Sequence, residues 1–156
     1  MEALLTGLAI ARLISSVGYI GRVPLAPGTA GSFAAFCAWY IIFPDLKTLY
    51  FIFLTLILFF IGVYVSMLTE NQLAVHDPGE IVIDEWVGQW ISLWWLEPSF
   101  FWGLFAFVIF RIFDIWKPWP ANKLDLITQG WGVMLDDVAA GLYALCVIQI
   151  IKWSLG

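Results

Sequence analysis

Five carboxylates in this chain lie where a carboxylate is expensive to keep. Asp84 and Glu85, Asp114, and Asp136 and Asp137 fall within or against long apolar runs. Ionised acids at membrane depth are costly unless paired, and by default they mark function. Like charges gathered at one place also need a compensating cation. Arg111 and Lys117 can supply part of that charge. A hard cation such as Mg²⁺ can supply the rest, because it prefers oxygen ligands and binds through a few carboxylates together with water and phosphate. A bare ion-pair network that locks helices is the competing role for these acids. Five acids from three segments converging on one face outweigh it.

Three further groups belong with the acids. Arg111, Asp114 and Lys117 recur every three residues, so on a helix they occupy neighbouring faces near its end. A carboxylate flanked by two cations suits a phosphate beside a metal, although Lys117 could also simply snorkel to the interface. Gly28, Thr29, Gly31 and Ser32 open an apolar helix after Pro27. Backbone N–H groups at a helix start, with hydroxyls beside them, make an anion site. Taken alone, the same residues read more readily as an ordinary turn and helix cap. His76, the single histidine, sits in the turn-rich run 75–80. It could act as general acid or base, or fix the loop by a hydrogen bond, which weighs slightly more for a lone histidine.

These residues need elements to carry them. Of 156 residues, 62% are apolar and 12% charged, where a soluble domain carries about 25% charged. Lipid is the natural solvent for such a chain. Residues 49–68 hold no charge over about 20 positions, enough to cross ~30 Å of hydrocarbon. Residues 132–153 are long enough as well, with Asp136 and Asp137 in the first turn or two. Shorter apolar stretches run over 30–43, 81–96 and 99–116, with Pro44, Pro98 and Pro118 just beyond them. Residues 2–20 carry Arg12 at mid-segment and lack a basic start. They read as an amphipathic or interfacial segment rather than a cleavable signal peptide.

Alternate crossings from residue 30 onward bring every polar cluster to one side of the membrane and leave short turns on the other. Arg22, Arg111, Lys117 and Lys123 lie on the polar side, against Lys47 and Lys152 opposite, so the positive-inside rule makes the polar side cytoplasmic. The expected architecture is all-α: a multi-pass helical membrane protein of one domain, 1–156, in which 1–22 is the interfacial segment and 23–156 the catalytic core.

Composition also excludes. No basic patch argues for nucleic acid. Cys37 and Cys146 lack CxxC spacing and read as small buried hydrophobes. Trp86, Trp90, Trp94, Trp116, Trp119 and Trp131 read as interfacial anchors. Nothing in the chain sets an oligomeric state.

Four blocks, read together, resemble the phosphatidylglycerophosphatase A family. They are Leu25-Ala-Pro-Gly-Thr-Ala-Gly-Ser32, His76-Asp-Pro-Gly-Glu-Ile-Val-Ile-Asp-Glu85, Phe110-Arg-Ile-Phe-Asp-Ile-Trp-Lys-Pro-Trp-Pro120 and Gly130-Trp-Gly-Val-Met-Leu-Asp-Asp137. They occur in that family's order over residues 25–137. Gln129 stands where a glycine is expected, and Leu126 where a basic residue is common.

The resemblance implies a Mg²⁺-dependent enzyme of the bacterial inner membrane that hydrolyses the phospholipid phosphatidylglycerophosphate to phosphatidylglycerol and phosphate. It places the family's acidic positions on Asp84, Glu85, Asp114, Asp136 and Asp137 and its basic positions on Arg111 and Lys117. Its glycine-rich block falls on Gly28, Thr29, Gly31 and Ser32.

The mechanism expected from this is metal-assisted hydrolysis. Asp84, Glu85, Asp136 and Asp137 would hold the metal, while Arg111, Lys117 and the glycine-rich block would hold phosphate oxygens. His76 or an acid would protonate the leaving alkoxide. The nucleophile is either water or an aspartate. The alternative is a small ion-coupled transporter, which would string its acids through the membrane depth rather than bunch them at one end.

Overall fold

Apolar runs without internal proline fold as helices, and the structure, a computed structural model, describes residues 2–42 and 44–155 of them. Its elements are α1 (Glu2–Ser15), a 3₁₀ turn (Ile20–Arg22), α2 (Pro27–Ile42), α3 (Thr48–Leu73), α4 (Ile83–Ser92), α5 (Phe100–Trp116), α6 (Ala121–Leu124) and α7 (Trp131–Ser154). No strand occurs among the described residues. The expected end of the second segment at Phe43, and the outermost residues Met1 and Gly156 of the expected domain, lie outside the described residues.

Local chemistry sets the ends. Pro27 opens α2, where its fixed φ suits the first helical turn and its missing N–H is no loss. Ala74 and Lys117 adopt left-handed backbone to end α3 and α5, and Pro118 bars continuation of α5.

Two helices are long and apolar enough to cross a membrane: α3, 26 residues, and α7, 24 residues, about 39 and 36 Å at 1.5 Å per residue. The stretch expected to cross over 81–96 is helical only over the 10 residues of α4, about 15 Å, half the hydrocarbon thickness.

That short α4 is the centre of the molecule. Val87, Gly88, Gln89, Trp90 and Ile91 are all buried, so it is covered on every side. One apolar cluster joins it to α2, α5 and α7 through Phe36, Trp39, Trp90, Phe110, Ala140 and Ile148. A second joins it to α1, α3 and α7 through Ala11, Val63, Ile83, Val87, Met134 and Leu145. The closest approach is between α4 and α7. A Cβ on Gly88 would stand 2.6 Å from the Asp137 carbonyl oxygen and 2.6 Å from the Phe110 ring, and one on Gly141 would collide with the Gly88 carbonyl. Small residues here let two backbones touch, as helices in lipid commonly do.

The N-terminal segment is built into this bundle. α1 packs on α3, Ser15 and Thr69 share a hydroxyl hydrogen bond of 3.0 Å, and the Val82 amide donates to the Ser15 carbonyl. Arg12, whose charge pointed to an interfacial position, is instead paired with Glu80.

Two other expectations change. Trp90 is buried and donates to the Ala35 carbonyl at 3.0 Å, and Trp94 donates to Thr55 Oγ1 at 3.4 Å. Both indoles sit in the core because each finds an acceptor there. Trp116, Trp119 and Trp131 are exposed, as anchors would be. Cys37 is half-buried and Cys146 exposed on the apolar outer face of α7, and both are free thiols rather than core hydrophobes.

If the Gly88 contact sets the α4–α7 distance, Gly88→Ala should cost about 1–3 kcal/mol through overpacking. Thermal unfolding in detergent measures this. Gly79→Ala is the comparison, because a Cβ there meets nothing within 4 Å, and an equal loss in both variants would refute the packing argument.

Candidate active site at one end of the bundle

The starts of α2, α4 and α7 and the ends of α3 and α5 meet at one end of the molecule, and contacts between them prove it. Glu70 near the end of α3 accepts from the Gly130 amide at the start of α7 at 2.7 Å. Lys117, just past α5, pairs with Asp136 on α7 at 2.6 Å. Arg111 on α5 lies 4.0 Å from Glu85 on α4. Helix N-termini carry partial positive charge. Asp84 and Glu85 occupy the first turn of α4, where that charge favours them.

The acids divide into two sets. One ligand oxygen each from Asp84, Glu85 and Asp137 lies within 4.8 Å of the others. Asp84 and Asp137 are buried, and Glu85 is mostly so. Asp84 Oδ1, Glu85 Oε2 and Asp137 Oδ2 are shielded from solvent and have no hydrogen-bond partner. Three orphaned carboxylate oxygens in one place are costly unless a counter-charge or a proton offsets them. Mg–O bonds of about 2.1 Å put neighbouring ligand oxygens about 3–4 Å apart, so a slight closure of this triad seats one hard cation. The donor set fits Mg²⁺.

The remaining acids already have cations. Asp114 pairs with Arg111 one helical turn back. Asp136, expected among the metal ligands, pairs with Lys117, which also reaches Asp125 at 3.2 Å. Consecutive residues on a helix point about 100° apart. Asp137 therefore faces α4 while Asp136 turns to Lys117, and Asp136 Oδ1 accepts the Asp137 amide at 2.9 Å. Burial works against the Lys117 charge, but Asp136 and Asp125 outweigh it and hold the ammonium above its ordinary range.

The glycine-rich start of α2 turns out to receive a carboxylate. A Cβ on Gly28 would collide with Glu85 Oε1 and stand 3.1 Å from Arg111, so only glycine lets α2 pass this close. Gly31 makes room for Val82. Ser32 is fully buried. Its hydroxyl donates to the Gly28 carbonyl at 2.7 Å and accepts from Arg111 at 3.4 Å. Ser32 thus holds Arg111 rather than facing a ligand itself. Thr29 is half-exposed and lines a groove together with Arg111. Arg111 Nε has no partner and is shielded from solvent, a donor left over for an anion.

His76 stands apart from the triad. Its Nδ1 lies 2.6 Å from Glu70 Oε1 and its Nε2 2.9 Å from the Asp125 carbonyl. Both partners are acceptors, so the doubly protonated ring satisfies them. The Asp125 carbonyl raises its pKa most, burial opposes the rise, and Glu70 adds to it, leaving the ring above its ordinary value. The ring latches the loop after α3 to the segment after α6.

Sequence reasoning missed the struts. Glu70 is buried at the end of an apolar helix and accepts from His76, the Asp77 amide and the Gly130 amide. Glu80 accepts from Arg12 at 2.7 and 2.9 Å and pairs with Arg22 at 3.3 Å. The Arg12 hydrogen bond holds its carboxyl below the usual range. Glu80 lies inside a recognised block, but its partners are far away in sequence. Gln129, standing where a glycine is expected, has φ 67°, the left-handed backbone that favours glycine.

A sequence model of the phosphatidylglycerophosphatase A family matches residues 13–152, a span that contains every residue of this site. The chain belongs to the phosphatidylglycerophosphatase A family. It is 40% identical over 140 residues to the phosphatidylglycerophosphatase A of Escherichia coli, covering 87% of this chain and 81% of that protein. It is 39% identical over 135 residues to that of Haemophilus influenzae, covering 85% and 83%. A Bacteroides thetaiotaomicron relative with the provisional name phosphatidylinositol-3-phosphatase is 37% identical over 143 residues, covering 87% and 89%. No solved structure matches the chain. Phosphatidylglycerophosphatase A membership agrees with the sequence resemblance and leaves the transporter alternative without support.

The His76 latch has a pH signature. Its folded pKa is raised above the unfolded value, so its stabilisation is fully present below about pH 6.5 and is lost as pH rises through the folded pKa. The difference in melting midpoint between the native chain and His76→Ala should therefore be largest on the acid side, with Glu70, Asp77 and Asp125 the charges facing the ring. A pH-independent difference, or one that grows in alkali, would contradict the latch.

Proposed function

We propose that this protein hydrolyses phosphatidylglycerophosphate to phosphatidylglycerol and inorganic phosphate, with Mg²⁺ held by Asp84, Glu85 and Asp137. The observation that carries the reading is the triad of buried, unpartnered carboxylate oxygens next to Arg111. Its support from kinship is the family of phosphatidylglycerophosphatases A to which the chain belongs.

When bound, Mg²⁺ would supply positive charge to the phosphate oxygens and favour ionisation of a water beside them. The chain's own residues do the rest. Arg111, held by Asp114 and Ser32, offers its free Nε edge to a phosphate oxygen. Lys117 pairs with both Asp136 and Asp125 at the rim, so that an incoming dianion meets less uncompensated negative charge there. The buried site around α4 excludes bulk water and strengthens these interactions. An acid of the triad is better placed than His76 to pass a proton to the leaving alkoxide, because both ring nitrogens of His76 are engaged.

The chain is read as one multi-pass membrane domain. α3 and α7 cross the bilayer of the bacterial inner membrane, and the site faces the cytoplasm. The apolar length of those two helices supports this, as does the convergence of the polar helix ends on one side. The Bacteroides relative's name points to a different phosphorylated head group, so head-group choice belongs in the same experiment.

The test is phosphate release by detergent-purified protein from phosphatidylglycerophosphate and from phosphatidylinositol-3-phosphate, with Mg²⁺ and with a chelator. Release should need Mg²⁺ and favour phosphatidylglycerophosphate. Asp84→Asn, Glu85→Gln and Asp137→Asn should each lower it at least about 100-fold while the circular dichroism stays helical. Release that persists in the chelator, or in folded Asp137→Asn, would remove the metal triad from the mechanism.

A further inference from the structure

A groove of about 690 Å³ runs along the outer face between α2 and α5, lined by Thr29, Phe107, Val108, Arg111, Ile112 and Trp116 among others. Its walls are apolar except at Thr29 and Arg111. Arg111 therefore belongs to two places at once: it borders the groove, and its guanidinium stands 4.0 Å from Glu85 of the triad. This one side chain links the groove to the site.

Depth orders the lining. Arg111 lies five residues before Trp116, about 7.5 Å along the helix. Exposed Trp116 stands at the polar end of the bundle, where indoles favour the head-group level. Phe107 and Val108 lie about one turn further toward the apolar middle. A molecule filling this groove would be ionic at Arg111 and Thr29 and hydrocarbon beyond them.

We infer that this groove takes one acyl chain of the phosphorylated lipid, which reaches the triad from the side of the bundle with its phosphate turned in at Arg111. The inference rests on the phosphatase reading and extends it to the route and orientation of the substrate. A second apolar crevice, of about 410 Å³ between α1, α3 and α4, is lined by Leu13, Ile14, Val17, Leu58 and Trp86 among others. It has no cation in its wall, and the nearby Arg12 is spent on Glu80. Arg111 is paired too, with Asp114, but its Nε has no partner, and that free donor selects the α2–α5 groove. Moving a chain from bilayer hydrocarbon into an apolar groove gains little hydrophobic free energy, so the groove contributes orientation and the phosphate at Arg111 contributes selectivity.

The test uses the full chain in nanodiscs and a non-hydrolysable phosphonate analogue of phosphatidylglycerophosphate with a mid-chain diazirine. Phosphatidylcholine bearing the same chain is the comparison, and labelled residues are mapped by mass spectrometry. The phosphonate should label residues 107–116, and excess unlabelled phosphonate should reduce that label at least about tenfold, whereas label from phosphatidylcholine should not be competed. Val108→Trp, which fills the groove, should reduce the competed label and raise the KM for a dioleoyl substrate more than for a dihexanoyl one.

Equal, uncompeted labelling by both lipids would make the groove a face for bulk lipid and overturn the inference. So would competed label on Leu13, Ile14 or Leu58 in place of α5. Phosphate release by the same preparation is measured in parallel. Competed groove labelling without release would keep the groove and remove the phosphatase, and release without it would do the reverse.

Discussion

Three carboxylates held out of water between two touching helices, of which only Glu85 has a protein cation near it, Arg111 at 4.0 Å, are the constraint from which the rest of this structure follows. Asp84 and Glu85 ride on the first turn of α4, and Asp137 faces them from α7. The helices can bring these groups together only because Gly88 and Gly141 let the two backbones meet. Such a cluster is unfavourable as it stands. The Mg²⁺ proposed for this place would offset that cost by bringing a cation to the three oxygens.

Most of the charged groups around that triad already have a partner. Arg111 is held by Asp114 and Ser32, Lys117 by Asp136 and Asp125, Arg12 and Arg22 by Glu80, and His76 by Glu70 and the Asp125 carbonyl. Partly buried pairs of this kind add little net stability, but removing one partner is costly. Their effect here is positional. Each fixes one helix end or loop relative to another, so the perimeter of the site is pinned from α1, α3, α5 and α7. The triad is left as the one place where charge is unmatched among these groups.

The apolar outer surface completes the arrangement. α3 and α7 present long hydrophobic lengths, and α5 carries, beside the start of α2, a groove whose wall includes Arg111. A lipid is the one phosphate ester whose hydrocarbon part such a surface would accept. The short α4 need not cross the bilayer itself, because the surrounding helices cover it. Its task is to carry two acids to one end of the bundle, in a setting dry enough for electrostatics to be strong.

Composition alone pointed to lipid as the solvent and to helices as the elements, because period-free apolar runs bounded by proline have no other stable form there. The order of the four motif blocks decided the family, and residue type with spacing marked Asp84, Glu85, Asp137 and Arg111 as the chemistry. Tertiary structure decided which acid does what. Asp136 and Asp137 are equivalent in a sequence, but about 100° of helical rotation sends one to Lys117 and the other to α4. It also decided that Gly28 makes room for Glu85 and Gly31 for Val82, that Ser32 braces Arg111, that Trp90 belongs to the core with Trp94 packed against it, and that His76 is a latch. Glu70 and Glu80 stayed invisible for the same reason. Their partners are separated from them by up to 68 residues, and only the packing of helix against helix brings such groups within hydrogen-bonding distance.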